Sequence, residues 1–105
     1  MIFVAIAVIA LAATAFGDIR IRFAKGRDAA VVNGRISRGG RTCYKAGVRA
    51  GQRITAIVTS KTGKVRIFES GETSYEAVTE YAGDESICVD NLSGPTSYTL
   101  TVTIK

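Results

Sequence analysis

Histidine and tryptophan are absent from this chain of 105 residues, and proline and methionine occur once each. The missing imidazole excludes Ser-His-Asp and Cys-His nucleophilic catalysis. It also excludes His-ligated zinc, and the two cysteines present cannot close a zinc site alone. There is no Walker loop and no GxGxxG opening a helix. Convincing helical periodicity is lacking throughout. Charge is missing from residues 1–15, MIFVAIAVIALAATA.

That apolar start is shorter than the roughly 20 residues that cross a bilayer. It matches the apolar core of a signal peptide, and Ala13-Thr14-Ala15 has the small-x-small form of a cleavage site. No Lys or Arg precedes it, so the usual basic leader is missing. Removal as a signal peptide is the expectation, and retention as a membrane anchor is the alternative. Residues 16–105 then form one small domain, periplasmic or secreted. A core of that size gains from a covalent staple. In an oxidising compartment the even cysteine count reads as one disulfide, Cys43–Cys88. Two free thiols are the alternative in a reducing one.

The net charge of +5 is uneven along the chain. Residues 18–53 hold ten Lys or Arg against two Asp, and residues 54–105 hold four against seven Asp or Glu. Strands interleave in a β fold, so this asymmetry need not be spatial. A mixed solvated surface is the expectation, and a basic face for anionic partners the alternative.

The chain is best laid out from residues 43–59, CYKAGVRAGQRITAIVT. Tyr44, Ala46 and Val48 alternate with polar neighbours, as do Ile54, Ala56 and Val58, and Ala50-Gly51-Gln52 makes the bend. The expectation is a hairpin, its second strand central because Ile57 is apolar on the other face. Before it, Ile19, Ile21 and Phe23 alternate, then Ala30, Val32, Gly34 and Ile36, with a Gly-rich hairpin connection at Ser37-Arg38-Gly39-Gly40-Arg41. After it come Val65 and Ile67, a weak edge strand over residues 75–81, Ile87 and Val89, and the clean alternation Tyr98, Leu100, Val102, Ile104. About eight short strands with turns every eight to twelve residues predict an all-β fold, a small antiparallel β-sandwich. A closed barrel is second. Cys43 and Cys88 fall in the outward phase, so their bond would join neighbouring strands on the outside of a sheet.

Catalytic and metal chemistry find little support. Carboxylates at Glu69, Glu72, Glu76, Glu80 and Asp84-Glu85 read as surface acids, because a glycosidase needs two converging across a cleft. Asp84, Glu85, Asp90 and Asn91 offer calcium-type oxygens but lie at both ends of one strand. Nucleic-acid binding needs exposed aromatics among the cations, and Phe23 and Tyr44 are both in core phase. A non-enzymatic binding scaffold with no cofactor and no metal is the expectation.

Phe23-Ala24-Lys25-Gly26, Val32-Asn33-Gly34-Arg35-Ile36, Tyr44, Val48-Arg49-Ala50-Gly51-Gln52-Arg53-Ile54 and Tyr98-Thr99-Leu100-Thr101-Val102 occur in that order. This succession resembles the bacterial pre-peptidase C-terminal-like sandwich. It is similar to the periplasmic inhibitors of animal g-type and i-type lysozymes. The resemblance implies a lysozyme as partner and a loop of the form Ser-Gly-x-x-Tyr that enters the lysozyme cleft. Its place here is Ala82-Gly83-Asp84-Glu85-Ser86, where Gly83 matches while Ala82 and Ser86 replace Ser and Tyr. Candidate partner-binding loops are therefore Gly83, Asp84, Glu85 and Ser86, together with Ser70, Gly71 and Tyr75, the last as the exposed aromatic. The acidic run over residues 69–85 would attract a basic lysozyme surface. A carbohydrate- or envelope-binding accessory domain is the second reading, and an envelope protein anchored by residues 1–15 the third.

Overall fold

The computed structural model describes residues 19–105. The signal peptide expected over residues 1–15 and its cleavage site lie outside them. Eight strands and no helix occur among the described residues: β1 (Ile19–Arg20), β2 (Ala29–Ile36), β3 (Arg41–Val48), β4 (Arg53–Ser60), β5 (Val65–Ile67), β6 (Ser74–Val78), β7 (Gly83–Asn91) and β8 (Thr96–Ile104). They form two four-stranded sheets, ordered β1-β3-β7-β5 and β2-β8-β4-β6. The sandwich is as expected. Every pairing is antiparallel except the short parallel one of β1 with β3.

Odd strands make one sheet and even strands the other, so each successive connection crosses between sheets. This corrects the hairpin expected over residues 43–59. β3 and β4 lie in opposite sheets, and residues 49–52 form an arch. The connection over residues 37–40 is likewise an arch from β2 to β3. Alternation cannot distinguish the two cases. Two amphipathic strands show the same pattern whether they lie side by side or face to face. Gly51, at φ 85°, turns the 49–52 arch. Buried Thr79 clamps it, its hydroxyl donating to Arg49 O at 2.5 Å while its backbone exchanges bonds with Gly51 and Gln52.

The inward sets make the core. Ile54, Val58, Val65, Ile67, Ile87, Val89, Leu100 and Val102 are essentially inaccessible to water. Central β4 lies between β8 and β6, and β6 is an edge strand, both as expected. Tyr44 of β3 and Tyr98 of β8 meet across the sheets, hydroxyl to hydroxyl at 2.5 Å. Gly34 on β2 makes room for that contact, because a Cβ there would stand 2.6 Å from the Tyr98 hydroxyl.

Cys43 and Cys88 are bonded and directly opposed on β3 and β7, with Cα atoms 4.0 Å apart. The Cys88 N–H donates to Glu69 Oε1 and its carbonyl accepts from the Phe68 N–H. Its backbone groups thus turn away from β3, which makes this a close, non-hydrogen-bonded pair. On the same outer face Arg41 forms a bidentate pair with Asp90 and stacks on Phe68 at 4.0 Å.

Candidate functional site

Gly83, Asp84, Glu85 and Ser86, expected as a loop, are the first residues of β7 and pair with β3 from Val48 back to Lys45. Gly-Asp-Glu-Ser reads locally as a turn, but β3 offers a ladder along its full length and tertiary pairing overrides local preference. Asp84 lies across Gly47 from Arg20 and accepts two bonds from its guanidinium, at 2.9 and 2.8 Å. Those bonds hold the Asp84 carboxyl below its ordinary pKa and raise that of Arg20. Ser86 points outward beside the disulfide, 3.8 Å from Cys88 Sγ.

Ser70 and Gly71 occupy a tight turn after β5, where both backbone N–H groups donate to Ile67 O. Gly71 takes φ 72° there. Tyr75 sits on β6 opposite Ala56. It is half-buried, which corrects its expected role as the exposed aromatic; that description fits Tyr81, 77% exposed. Burial raises the Tyr75 phenol pKa, helped by the charges of Glu85 and Glu69. Ser70 and Tyr75 line one shallow depression of about 430 Å³ with Thr55, Ile57, Glu72 and Glu76. The fold thus gathers Ser70, Tyr75 and Glu85 along the acidic β5/β6 edge, and leaves Asp84 and Ser86 on the outer face of the odd sheet.

At the end of the sandwich beyond Ile36, Ser60 and Asn91, the sequence offered only residues 37–41, a Gly-rich basic loop read as a plain connection. Three connections meet there, over residues 37–40, 61–64 and 92–95. Asn91, buried and inward-facing on β7, holds them together. Its Nδ2 donates to Gly94 O at 2.9 Å, Ser37 O at 3.1 Å and Ile36 O at 3.3 Å. Its Oδ1 accepts from Ser93 N, and its backbone exchanges bonds with Gly39 and Gly40. Leu92 N donates to Lys64 O and ties in the third connection. Asn91 was weighed above only as a calcium-type oxygen. Its carboxamide is fully engaged, Asp84 and Asp90 are held by arginines, and no metal-ligand cluster occurs among the described residues.

An open depression of about 880 Å³ lies at the opposite end. Phe23, Val48 and Ile104 line it with Arg27, Arg49 and Lys105, against Asp28 and Asp84.

No family model and no curated protein matches this sequence. Solved structures do. The chain is similar in fold to periplasmic inhibitors of g-type lysozyme. The Aeromonas hydrophila inhibitor PliG superposes with a TM-score of 0.71 at 17% identity, over 84% of this chain and 96% of that one. Salmonella Typhimurium PliG gives 0.66 at 18% identity, over 85% and 99%. A mutant of the Escherichia coli protein gives 0.65 at 16% identity, over 84% and 97%.

Proposed function

We propose that this protein is an exported, non-catalytic inhibitor of g-type lysozyme. The observation that carries the reading is the likeness of fold over nearly the full length of PliG, 96% of it in the Aeromonas hydrophila structure. The sandwich fits the role: its strands are fixed by a disulfide, and its connections form exposed, hydrogen-bonded surfaces. Rigid surfaces of that kind lose little entropy on docking. Candidate contacts along the acidic edge are Ser70, Gly71, Tyr75 and Glu85, with Gly83, Asp84 and Ser86 beside them. Titration against g-, i- and c-type lysozymes tests the reading. Stoichiometric loss of g-type muramidase activity is the expected outcome. No effect on any type at micromolar protein sinks it.

A second reading, a glycan-binding accessory domain of the pre-peptidase C-terminal-like kind, draws on the outer face of the even sheet. Thr55, Thr59, Thr99, Thr101 and Thr103 alternate there with the inward set, and Val31 and Ile57 flank Thr101 while 62% and 48% exposed. Retention on a glycan array without lysozyme inhibition would favour it.

A further inference from the structure

The charge of the molecule is concentrated at one end. The arches, the turn and the strand ends joined around Asn91 carry Arg35, Arg38, Arg41, Lys61, Lys64 and Arg66, against Asp90 and, beside Arg41, Glu69. Six cations against two acids leave this end strongly positive. Arg41 is bound to Asp90, whereas Arg38 forms no ion pair among the described residues. Its Nη2 lies 3.6 Å from where a Cβ on Gly94 would stand, so the guanidinium reaches from one connection to the next. Leu92, on that adjoining turn, is 64% exposed.

We infer that this basic end enters the acidic cleft of the lysozyme, with Arg38 as the side chain that meets its carboxylates and Leu92 as the apolar contact beside it. The inference rests on the functional reading above and moves the contact surface away from the acidic β5/β6 edge. A muramidase works with carboxyl groups flanking the scissile glycosidic bond, so its cleft presents acids to whatever fills it. An arginine can donate to such a group in bidentate fashion, and arginine is enriched at interface hot spots. The surface is also set in advance. The Asn91 carboxamide fixes the 37–40 arch against the 92–95 turn, so few rotamers and little loop motion are lost on insertion. The acidic edge lacks this match: Glu69, Glu72 and Glu85 there would repel cleft carboxylates.

The test uses the full chain expressed for export, with inhibition of a g-type lysozyme read at low and high salt. Arg38→Glu is expected to raise the half-inhibitory concentration at least about tenfold, as loss of a desolvated charge contact does. Leu92→Asp is expected to act in the same direction. Arg27→Glu, at the opposite end, should leave inhibition unchanged, and wild-type inhibition should weaken with added salt. If wild type inhibits while Arg38→Glu and Leu92→Asp inhibit equally well, and Tyr75→Ala or Glu72→Arg loses inhibition, the basic-end contact is overturned and the inhibitor reading stands. If wild type inhibits no lysozyme, both fall.

Discussion

At the scale of single residues, Gly34 and Asn91 carry consequences out of proportion to their size. A methyl group at Gly34 would meet the Tyr98 hydroxyl at 2.6 Å, and Tyr98 cannot yield without breaking its bond to Tyr44. Gly34→Ala is expected to destabilise the fold by about 1–3 kcal/mol, the usual cost of overpacking, read as a lower urea midpoint. Asn91→Asp keeps the side-chain volume but turns a donor toward three carbonyls into an acceptor. A loss of about 2 kcal/mol or more is expected, with faster hydrogen exchange in the 37–40 arch and the 92–95 turn. Tyr44 gives a pH signature. Burial, then the bond to Tyr98, holds its hydroxyl well above the ordinary value of 10.0. The folded pKa is the higher one, so the contribution is intact below pH 10.0 and lost as pH rises beyond it. Alkaline unfolding should therefore begin above that pH in wild type, and start from a flatter baseline in Tyr44→Phe.

At the scale of elements, the inward sets were legible and the partners were not. Tyr98, Leu100, Val102 and Ile104 predicted β8 residue by residue, and Ile87 and Val89 predicted the buried face of β7. Period-two alternation reports which side of a strand is dry, and nothing more. It could not show that residues 49–52 join opposite sheets, nor that Gly83 to Ser86 would be drawn into β7 by pairing with β3. Asn91 was illegible for a related reason: its role depends on the 37–40 arch, distant in sequence. The Cys43–Cys88 pairing was legible from the even count once an oxidising compartment was expected, and the phase placed it on the outside of a sheet. At a sequence separation of 45, the chain-entropy estimate is about 4 kcal/mol. Replacing both cysteines by alanine should cost stability of that order in chemical denaturation, and a change below about 1 kcal/mol would count against a stapling role.

At the scale of the whole molecule, the sequence asymmetry between the two halves does not carry over into space, as the interleaving of strands led one to expect. The cations of the first half are divided between the two ends, and Lys61, Lys64 and Arg66 of the second half join Arg35, Arg38 and Arg41 at one of them. Charge pattern along a chain becomes charge pattern in space only once the topology is known.

The strict alternation of strands between sheets also bears on how the chain is made. β8 lies between β2 and β4, and those two strands share no other bridge. Until residues 96–104 have left the ribosome, the even sheet cannot close, and the odd sheet has only an unjoined β2 and the β4–β6 pair to cover its inner face. A nascent chain of this kind has no closed core before β8 is free to pair. Its strand pairs are mostly distant in sequence, so folding after release should be slow, in the millisecond-to-second range typical of such topologies. Truncation before Thr96 should leave a soluble fraction with no cooperative unfolding transition. A cooperative transition in that truncated chain would show that the last strand is not the latch.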